Sequence, residues 1–329
     1  MKLDEIARLA GVSRTTASCV INGKAEQYRI SQRTQDKVMA VVRAHNFEPD
    51  RQAAALRGGL SRTLGLVVPD LANPSYATLA RLLERQARHH GFQLLITCSD
   101  DDPQTERELA LMLKARRVDA LMVASCLAVS DDFYCRLNRE LPVVGLDRPL
   151  PHSLASVSSE NAEACARLTR TLVGPSPERA WLIGAAPGLS ISQERERGFR
   201  DAATELGASF EISHVEQFDR HCARALLEQQ VDTDWQSPLA IVTTAFVLLE
   251  GVMDFLHQHL GALPASLRLA TFGDHRLLDF LATPVNTMAQ DHHLVAEKVM
   301  SLTLDAVRGH YRSGHYAVPR LLRQRYRPR

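Results

Sequence analysis

Polar side chains stand directly after several strand-like apolar segments of this 329-residue chain. Asp147 and Arg148 follow one such segment, Asp274 follows another, Ser125 closes a third, and Arg197 stands near the start of a predicted helix. Because ligands of open α/β sheets bind beyond the carboxyl ends of the strands, we expect these residues to converge. Carboxylates accept hydrogen bonds from hydroxyl groups, and a guanidinium group pairs with anions. The pattern therefore predicts a site for a sugar-like ligand, with surface ion pairs as the alternative for each residue taken singly.

The first 45 residues predict three short helices. The first covers residues 3–10, Gly11 ends it, Ser13 is placed to cap a second helix over 14–21, and a third runs over 32–45. The side chains left on the outer face of the second helix are Arg14, Thr15, Thr16 and Ser18. This arrangement is typical of a helix-turn-helix, and short hydroxyls with an arginine at a helix start fit the major groove of DNA. A three-helix mini-domain without a ligand is the alternative.

The segment that follows these helices is alanine-rich and lies between Pro49 and two glycines. A helix over about residues 50–58 is too short to be stable alone, so it should fold only against a partner. Leu56 can enter a widened minor groove as an apolar wedge, with Arg57 beside it. The segment is therefore predicted to be a hinge helix, with a frayed linker as the alternative.

From residue 63 onward, strand-like and helix-like segments alternate. Such alternation predicts parallel sheets covered by helices on both faces, and about nine strand–helix units predict two lobes with a ligand cleft between them. The expected organisation is a head over residues 1–60 and an effector-binding and dimerisation body over 61–329. The expected segments of the body are about 61–160 and 290–319 for lobe 1, and about 161–289 and 320–329 for lobe 2.

Basic residues are concentrated in the head. Residues 1–60 hold ten Lys/Arg against six Asp/Glu, a net charge of +4, and the remainder of the chain has a net charge of −3. A basic head suggests a polyanionic partner for that part of the chain. The stretch 320–329 is also basic, and we expect it to be a solvated end. It lacks the heptads of a tetramerising coil, so a homodimer is expected.

Motifs of several enzyme classes are missing. The sequence contains no Gly-x-Gly-x-x-Gly, no Gly-x-x-x-x-Gly-Lys-Ser/Thr, no His-Glu-x-x-His and no Gly-x-Ser-x-Gly. The six cysteines are scattered, and adjacent histidines on a helix cannot jointly hold one metal ion. We expect no catalysis, no cofactor and no metal. The absence of an 18-residue apolar run and the acids at Asp4 and Glu5 predict a cytoplasmic protein without a membrane segment.

Residues 1–60 resemble the DNA-binding head of the LacI/GalR family of bacterial repressors. The matching segments are Ile6–Ser13, Thr16–Ser18, Val20–Gly23 and the hinge from Pro49 to Arg57. Within the family the head is most similar to the fructose-repressor subfamily, through Leu3–Ile6, Arg14–Ser18 and Ile21–Ser31. Cys19 departs from the basic residue that many members have at that position. The body resembles the effector domain of the same family, which is itself similar to periplasmic sugar-binding proteins.

The resemblance implies two sets of binding residues. The DNA interface is expected to contain Arg14, Thr15, Thr16, Ser18, Asn22, Tyr28, Arg29, Leu56 and Arg57. The effector site is expected to contain Ser75, Tyr76, Ser125, Asp147, Arg148, Arg197, Phe246, Asp274 and Gln290. Arg148 and Arg197 are the candidates for a phosphate group, and Asp147 and Asp274 are the candidates for sugar hydroxyls.

The function that follows from the resemblance is transcriptional regulation of sugar metabolism. A homodimer is expected to bind a pseudo-palindromic DNA operator and to be released by a sugar phosphate, fructose 1-phosphate above all. A free sugar or a purine as effector is the first alternative. An α/β sugar-phosphate enzyme with a fused DNA-binding head is the second.

Overall fold

The computed structural model describes residues 1–45, 47, 59–172, 179–230, 239–261, 263 and 267–325. Two compact units make up the chain, a head over Met1–Ser61 and a body over Arg62–Arg329. The predicted hinge helix, with Leu56 and Arg57, lies outside the described residues.

Three helices form the part of the head that the structure describes. They are α1 (Leu3–Ala10), α2 (Arg14–Ile21) and α3 (Gln32–Ala44). Gly11 ends α1 with a φ of 64°, a left-handed conformation that glycine adopts without steric cost. The Ser13 hydroxyl accepts a hydrogen bond from the Thr16 amide and caps α2. The centre of the core holds one fully buried residue from each helix, Ile6, Ala17 and Val38. These features confirm the predicted helix-turn-helix head.

Two six-stranded sheets form the body over its described residues. The strands are β1 (Thr63–Val68), β2 (Gln93–Cys98), β3 (Ala120–Val123), β4 (Val143–Asp147), β5 (Ala155–Ser159), β6 (Arg179–Ala185), β7 (Ser209–Val215), β8 (Leu239–Thr243), β9 (Arg268–Phe272), β10 (Val285–Gln290), β11 (Gly314–Val318) and β12 (Arg320–Arg323). Sheet 1 has the order β11-β5-β4-β3-β1-β2 and is parallel throughout. Sheet 2 has the order β12-β10-β9-β8-β6-β7 and is parallel except for β12.

Helices cover both faces of each sheet. They are α4 (Pro74–His89), α5 (Pro103–Ala115), α6 (Phe133–Leu137), α7 (Ala162–Arg170), α8 (Ser190–Glu205), α9 (Arg220–Gln230), α10 (Phe246–Leu260) and α11 (His292–Val307), with a 3₁₀ helix at Arg276–Phe280. In lobe 1, α4 and α11 pack on one face of sheet 1 and α5 and α6 on the other. In lobe 2, α7 and α8 pack opposite α9 and α10 across sheet 2. The predicted body of two α/β lobes is confirmed.

The chain passes between the lobes three times. It leaves lobe 1 after β5, returns between β10 and α11, and enters sheet 2 again between β11 and β12. The passages are tied together at Gln290 and Arg320, whose backbones pair in the antiparallel register of β10 and β12. The Arg320 Nε also donates to the Glu160 carbonyl oxygen of the first passage at 2.8 Å. The linkage between the lobes is therefore one hydrogen-bonded structure.

The structure adds elements that the sequence pattern does not reveal. Strands β5, β11 and β12 and the short helix α6 were not expected, and α8 begins at Ser190, seven residues before Arg197. In β5, Ser156 and Ser158 are buried and bond to the two ring nitrogens of His315. A strand that buries hydroxyls in this way lacks the apolar signal on which strand prediction depends.

Candidate ligand cleft

A cleft of about 390 Å³ opens between the carboxyl edges of the two sheets. Lobe 1 lines it with residues of the β1–α4 turn and with Asp147 and Arg148 at the end of β4. Lobe 2 lines it with Arg195 on α8 and with Phe272 at the end of β9. This is the position that the fold assigns to a ligand.

Asp147 lies at the centre of the hydrogen bonds in this cleft. One of its carboxylate oxygens accepts from the Tyr76 hydroxyl at 3.0 Å, and the other accepts from the Gln290 amide at 2.7 Å. The same Gln290 nitrogen donates to the Ser159 hydroxyl at 2.9 Å. Asp147 has a φ of 63°, which is a strained conformation for a residue other than glycine. Both lobes therefore hold this carboxylate in a fixed position.

The donor and acceptor roles around Gln290 follow from the acceptor-only character of Asp147. Because the Gln290 amide nitrogen faces the carboxylate, its oxygen faces Ser75, whose hydroxyl donates to it at 3.0 Å. The Ser75 hydroxyl has then used its proton, so the bond of 2.9 Å to the Nε2 of His292 requires that His292 donates. Burial lowers the pKa of His292. A neutral ring with its proton on Nε2 fits both observations.

Arg148 has 3% of its surface exposed and is paired with one carboxylate. Its two terminal nitrogens donate to the two oxygens of Asp101, a bidentate pair. Its Nε has no hydrogen-bond partner within the part of the chain that the structure describes. Arg148 also faces a neighbouring cavity of about 310 Å³ near the start of α8. Arg148 is thus a buried cation with one donor still available.

Two further arginines approach each other at the Phe272 ring. The guanidinium carbons of Arg195 and Arg320 lie 4.6 Å and 5.1 Å from the centroid of that ring. Each arginine has 6% of its surface exposed. Arg195 also donates to the Asn161 side chain at 2.9 Å and to the Thr244 carbonyl oxygen at 2.8 Å. Two like charges are thus held together in a buried part of the cleft.

The pKa values of these groups follow from their mutual positions. Burial and the charge of Arg195 lower the pKa of Arg320 to about 9, against the opposing charge of Asp147. Burial also lowers the pKa of Arg195, again opposed by Asp147. Burial alone would raise the pKa of Asp147, but the charges of Arg320 and Arg195 outweigh it and lower that pKa. The two arginines therefore share one carboxylate, and an anionic ligand would relieve their repulsion.

Arg197, which we expected in the cleft, lies elsewhere. It is exposed on α8, whereas Arg195, two residues earlier, is buried and lines the cleft. Residues two apart on a helix point about 200° away from each other, so only one of them can face inward. The face is set by Gly198, where an added Cβ would lie 1.9 Å from the Ala162 carbonyl oxygen. Arg195 stands one turn before Gly198 and therefore shares its side of the helix.

The other expected effector residues divide into two groups. The cleft lining includes Ser75, Tyr76, Asp147, Arg148, Phe246, Asp274 and Gln290. Asp274 already accepts from Thr287, Arg323 and Arg325. Ser125 does not line this cleft; it is buried, donates to the Glu106 carboxylate and faces the smaller cavity.

Arg320 corrects the expectation that the basic stretch 320–329 is a solvated end. Arg320, the first residue of that stretch, is buried in the cleft, and Arg323 and Arg325 pair with Asp274 and Asp279. Sequence reasoning also missed Arg195, Asp101 and His292. The available signal was the Arg-x-x-Gly spacing of Arg195 and Gly198, because residues three apart share a helix face. For Arg320 the sequence offers no comparable signal, because β12 is a short strand with three exposed residues.

The head displays most of its expected DNA contacts. Arg14, Thr15, Asn22, Tyr28 and Arg29 are exposed, whereas Thr16 and Ser18 are half-buried. The Thr16 hydroxyl is bonded to the Ser13 hydroxyl at 2.8 Å, and the Asn22 amide donates to the Ser18 carbonyl oxygen at 2.8 Å. Arg14 is paired with Asp4 at 3.1 Å. The polar surface of α2 is therefore available to a partner, with Thr16 and Ser18 bonded within the head.

Comparison with known protein families assigns the chain. Residues 2–50 match the model of bacterial regulatory proteins of the lacI family, and residues 61–243 match that of periplasmic binding proteins and the sugar-binding domain of the LacI family. A periplasmic binding protein-like domain matches residues 169–325. The chain belongs to the LacI family of bacterial regulatory proteins.

Two relatives are similar over nearly the whole chain. The fructose operon regulatory protein of Vibrio cholerae is 47% identical over 327 residues, which is 99% of this chain and 100% of the relative. The catabolite repressor/activator of Escherichia coli is 47% identical over 309 residues, covering 92% of this chain and 91% of the relative. Both relatives are named as regulators rather than enzymes.

Solved structures show the same architecture. The Cra transcriptional dual regulator of Pseudomonas putida, in complex with fructose 1-phosphate, is 43% identical with a TM-score of 0.76, covering 80% of this chain and 99% of that one. The lac repressor dimer bound to operator and an anti-inducer shares the fold with a TM-score of 0.83 at 19% identity, covering 98% of each chain. Among the helices that the structure describes, none is long and apolar enough to span a membrane.

Proposed function

We propose that this protein is a homodimeric, cytoplasmic DNA-binding regulator that a sugar phosphate releases from its operator. The observation that carries the effector assignment is the set of three buried guanidinium groups of Arg148, Arg195 and Arg320 in one cleft. Asp101 and Asp147 are the carboxylates whose charges act on these three cations, which is one negative charge fewer than the guanidinium groups. A phosphate group supplies that charge and accepts several hydrogen bonds from guanidinium donors.

The rest of the cleft suits the sugar part of such a ligand. Asp70 and Asp100 are exposed at the rim, and carboxylates are good acceptors for hydroxyl groups. Phe246 and His275 stack with ring centroids 5.3 Å apart and offer an aromatic wall. We propose fructose 1-phosphate as the effector, because a relative at 43% identity has been solved with that ligand.

Exposed apolar side chains support the homodimer. Leu95 and Ile96 are more than a third exposed on β2, an edge strand of sheet 1. On lobe 2, Leu277, Phe280 and Leu321 are 64%, 71% and 56% exposed around the 3₁₀ helix and the edge strand β12. Large exposed apolar residues next to open sheet edges are typical of protein interfaces. A second copy of the chain is the proposed partner of these surfaces.

The proposed switch couples the cleft to the head. An effector that favours one arrangement of the lobes changes operator affinity, and the coupling free energy is typically about 1–3 kcal/mol. The coupling is reciprocal, so bound operator weakens effector binding by the same factor. Leu56 is proposed as the minor-groove wedge of the hinge. A Leu56→Ala variant should lose specific operator binding and keep most nonspecific binding, measured by competition with random DNA.

The direct test begins with selection of duplexes from a random pool by the full-length protein. The selected duplex is then titrated in a gel-shift assay with fructose 1-phosphate, fructose, inorganic phosphate and hypoxanthine. Release by fructose 1-phosphate at concentrations where the other three have no effect is the expected result. Release by fructose or hypoxanthine alone would overturn the sugar-phosphate assignment. Failure to select any duplex would overturn the proposed function as a DNA-binding regulator.

A further inference from the structure

A group of exposed arginines lies at the edge of sheet 1 opposite the cleft. Strands of a parallel sheet begin at one edge, and the helices that connect them end at that same edge. The turns from α5 to β3, from α6 to β4 and from α11 to β11 all lie there. The exposed arginines of this edge, named the basic edge, are Arg62, Arg88, Arg116, Arg117, Arg139 and Arg312.

Four of these arginines have no carboxylate partner in the described parts of the chain. Arg88 pairs with Glu84, whereas Arg62 bonds to Asp119 through its backbone amide and its guanidinium group lies over the Phe92 ring. Nearby carboxylates are also used, because Glu140 pairs with Lys114 and Asp305 pairs with Arg308. No ion pair among the described residues involves the remaining four, which are Arg116, Arg117, Arg139 and Arg312. Charge at this edge is therefore in excess rather than distributed in pairs.

The spacing of these charges suits an extended polyanion. Neighbouring strands lie about 4.8 Å apart, so six strands place the array along roughly 25 Å. Duplex DNA carries one negative charge per about 1.7 Å of its axis, and each phosphate that a cation neutralises releases bound counterions. An array of this length can contact several phosphates.

The connection between the head and the body indicates which polyanion would meet the basic edge. The peptide bond between Ser61 and Arg62 joins the head to the body at this edge. DNA held by the head is therefore tethered to the same edge, and tethering raises its effective concentration there. We infer that the basic edge contacts phosphates of the DNA that flanks the operator and adds sequence-independent affinity. This inference rests on the proposed DNA-binding function.

The test compares operator duplexes of two lengths with the full-length protein. The selected operator is trimmed to its own limits or extended by about 15 base pairs on each side. The variant Arg116→Ala/Arg139→Ala/Arg312→Ala removes three unpaired charges and leaves Arg117, which has a φ of 59°, unchanged. The control Arg179→Ala/Arg200→Ala/Arg224→Ala removes the same charge from lobe 2, at the exposed Arg179 and Arg200 and the half-buried Arg224.

The expected result is confined to the extended duplex. On that duplex the slope of log affinity against log salt concentration should fall in magnitude by about 2.7 for each protomer that contacts the DNA. Between 50 and 200 mM salt, the variant should therefore lose about 40-fold less affinity than the parent protein does. Binding to the trimmed duplex should equal that of the parent protein, which also shows that the variant folds. An unchanged slope on the extended duplex would overturn the inference, as would an equal fall in the control.

Failure of the proposed function gives a different result. A protein without an operator selects no duplex from the pool, whereas the basic edge can still be measured on a random duplex of about 40 base pairs. Reduced salt dependence of the triple variant on that duplex supports the edge. An unchanged salt dependence there overturns it and leaves an acidic protein as the partner to seek.

Discussion

The head and the body of this protein form their binding surfaces over different distances along the chain. In the head, bonds such as Ser13 to Thr16 and Asn22 to Ser18 join residues three or four apart. In the body, Asp147 bonds to residues 71 and 143 positions away, at Tyr76 and Gln290. The head can therefore lose one contact and keep its others, whereas the cleft depends on packing that lies far from the ligand. Single substitutions in the head and in the body test this difference.

Gly198→Ala should cause the largest loss, because an added Cβ would lie 1.9 Å from the Ala162 carbonyl oxygen between α7 and α8. We expect the free energy of unfolding of the body to fall by about 3 kcal/mol, measured by urea denaturation. Gly188→Ala is the matched control, since nothing lies within 4 Å of its added Cβ. Equal stability of the two variants would show that α8 is not held by this contact.

Arg320→Ala removes one of the buried guanidinium groups together with its hydrogen bond to the Glu160 carbonyl oxygen. We expect the Kd for fructose 1-phosphate to rise about 30-fold, equivalent to about 2 kcal/mol, because a charged partner of a buried anion is lost. Isothermal titration calorimetry measures the change. A Kd within threefold of the parent value would remove Arg320 from the site.

Ser13→Ala should lower the stability of the head by about 1 kcal/mol, because it removes the cap of α2. Thr15→Ala should instead weaken operator binding without this loss, because Thr15 is exposed and makes no cap. Thermal unfolding of the head and gel-shift assays separate the two effects. Loss of stability in Thr15→Ala would contradict the local character of the head.

The smallest expected effect concerns His292, whose pKa is lowered by burial. The unfolded chain then binds this proton more readily than the folded one, so stability falls as pH falls through the unfolded value of about 6.5 and below. His292→Gln should flatten this part of the pH–stability curve, measured by denaturation between pH 5 and about 8. Equal slopes of stability against pH in the parent and in His292→Gln would contradict a contribution from His292.

The sequence predicted the fold where its signals are local. Helix caps, glycines and apolar periodicity placed α1, α2 and α3 within one residue of their limits. Strands β5 and β12 were not predicted from the sequence. Strand β5 buries serines that bond to His315, and β12 is four residues long and largely exposed. Arg195 and Arg197 differ because they lie on different faces of α8, and the sequence alone does not show which face packs inward. Arg320 enters the cleft only through the antiparallel pairing of β12 with β10.

Arg195 and Arg197 provide the most direct test, since they are the same residue type two positions apart on one helix. Calorimetric titration with fructose 1-phosphate would compare Arg195→Ala with Arg197→Ala in the full-length protein. We predict that Arg195→Ala weakens binding at least about 30-fold while Arg197→Ala binds as the parent does. Equal affinities, or a larger loss in Arg197→Ala, would contradict a cleft built on buried guanidinium groups.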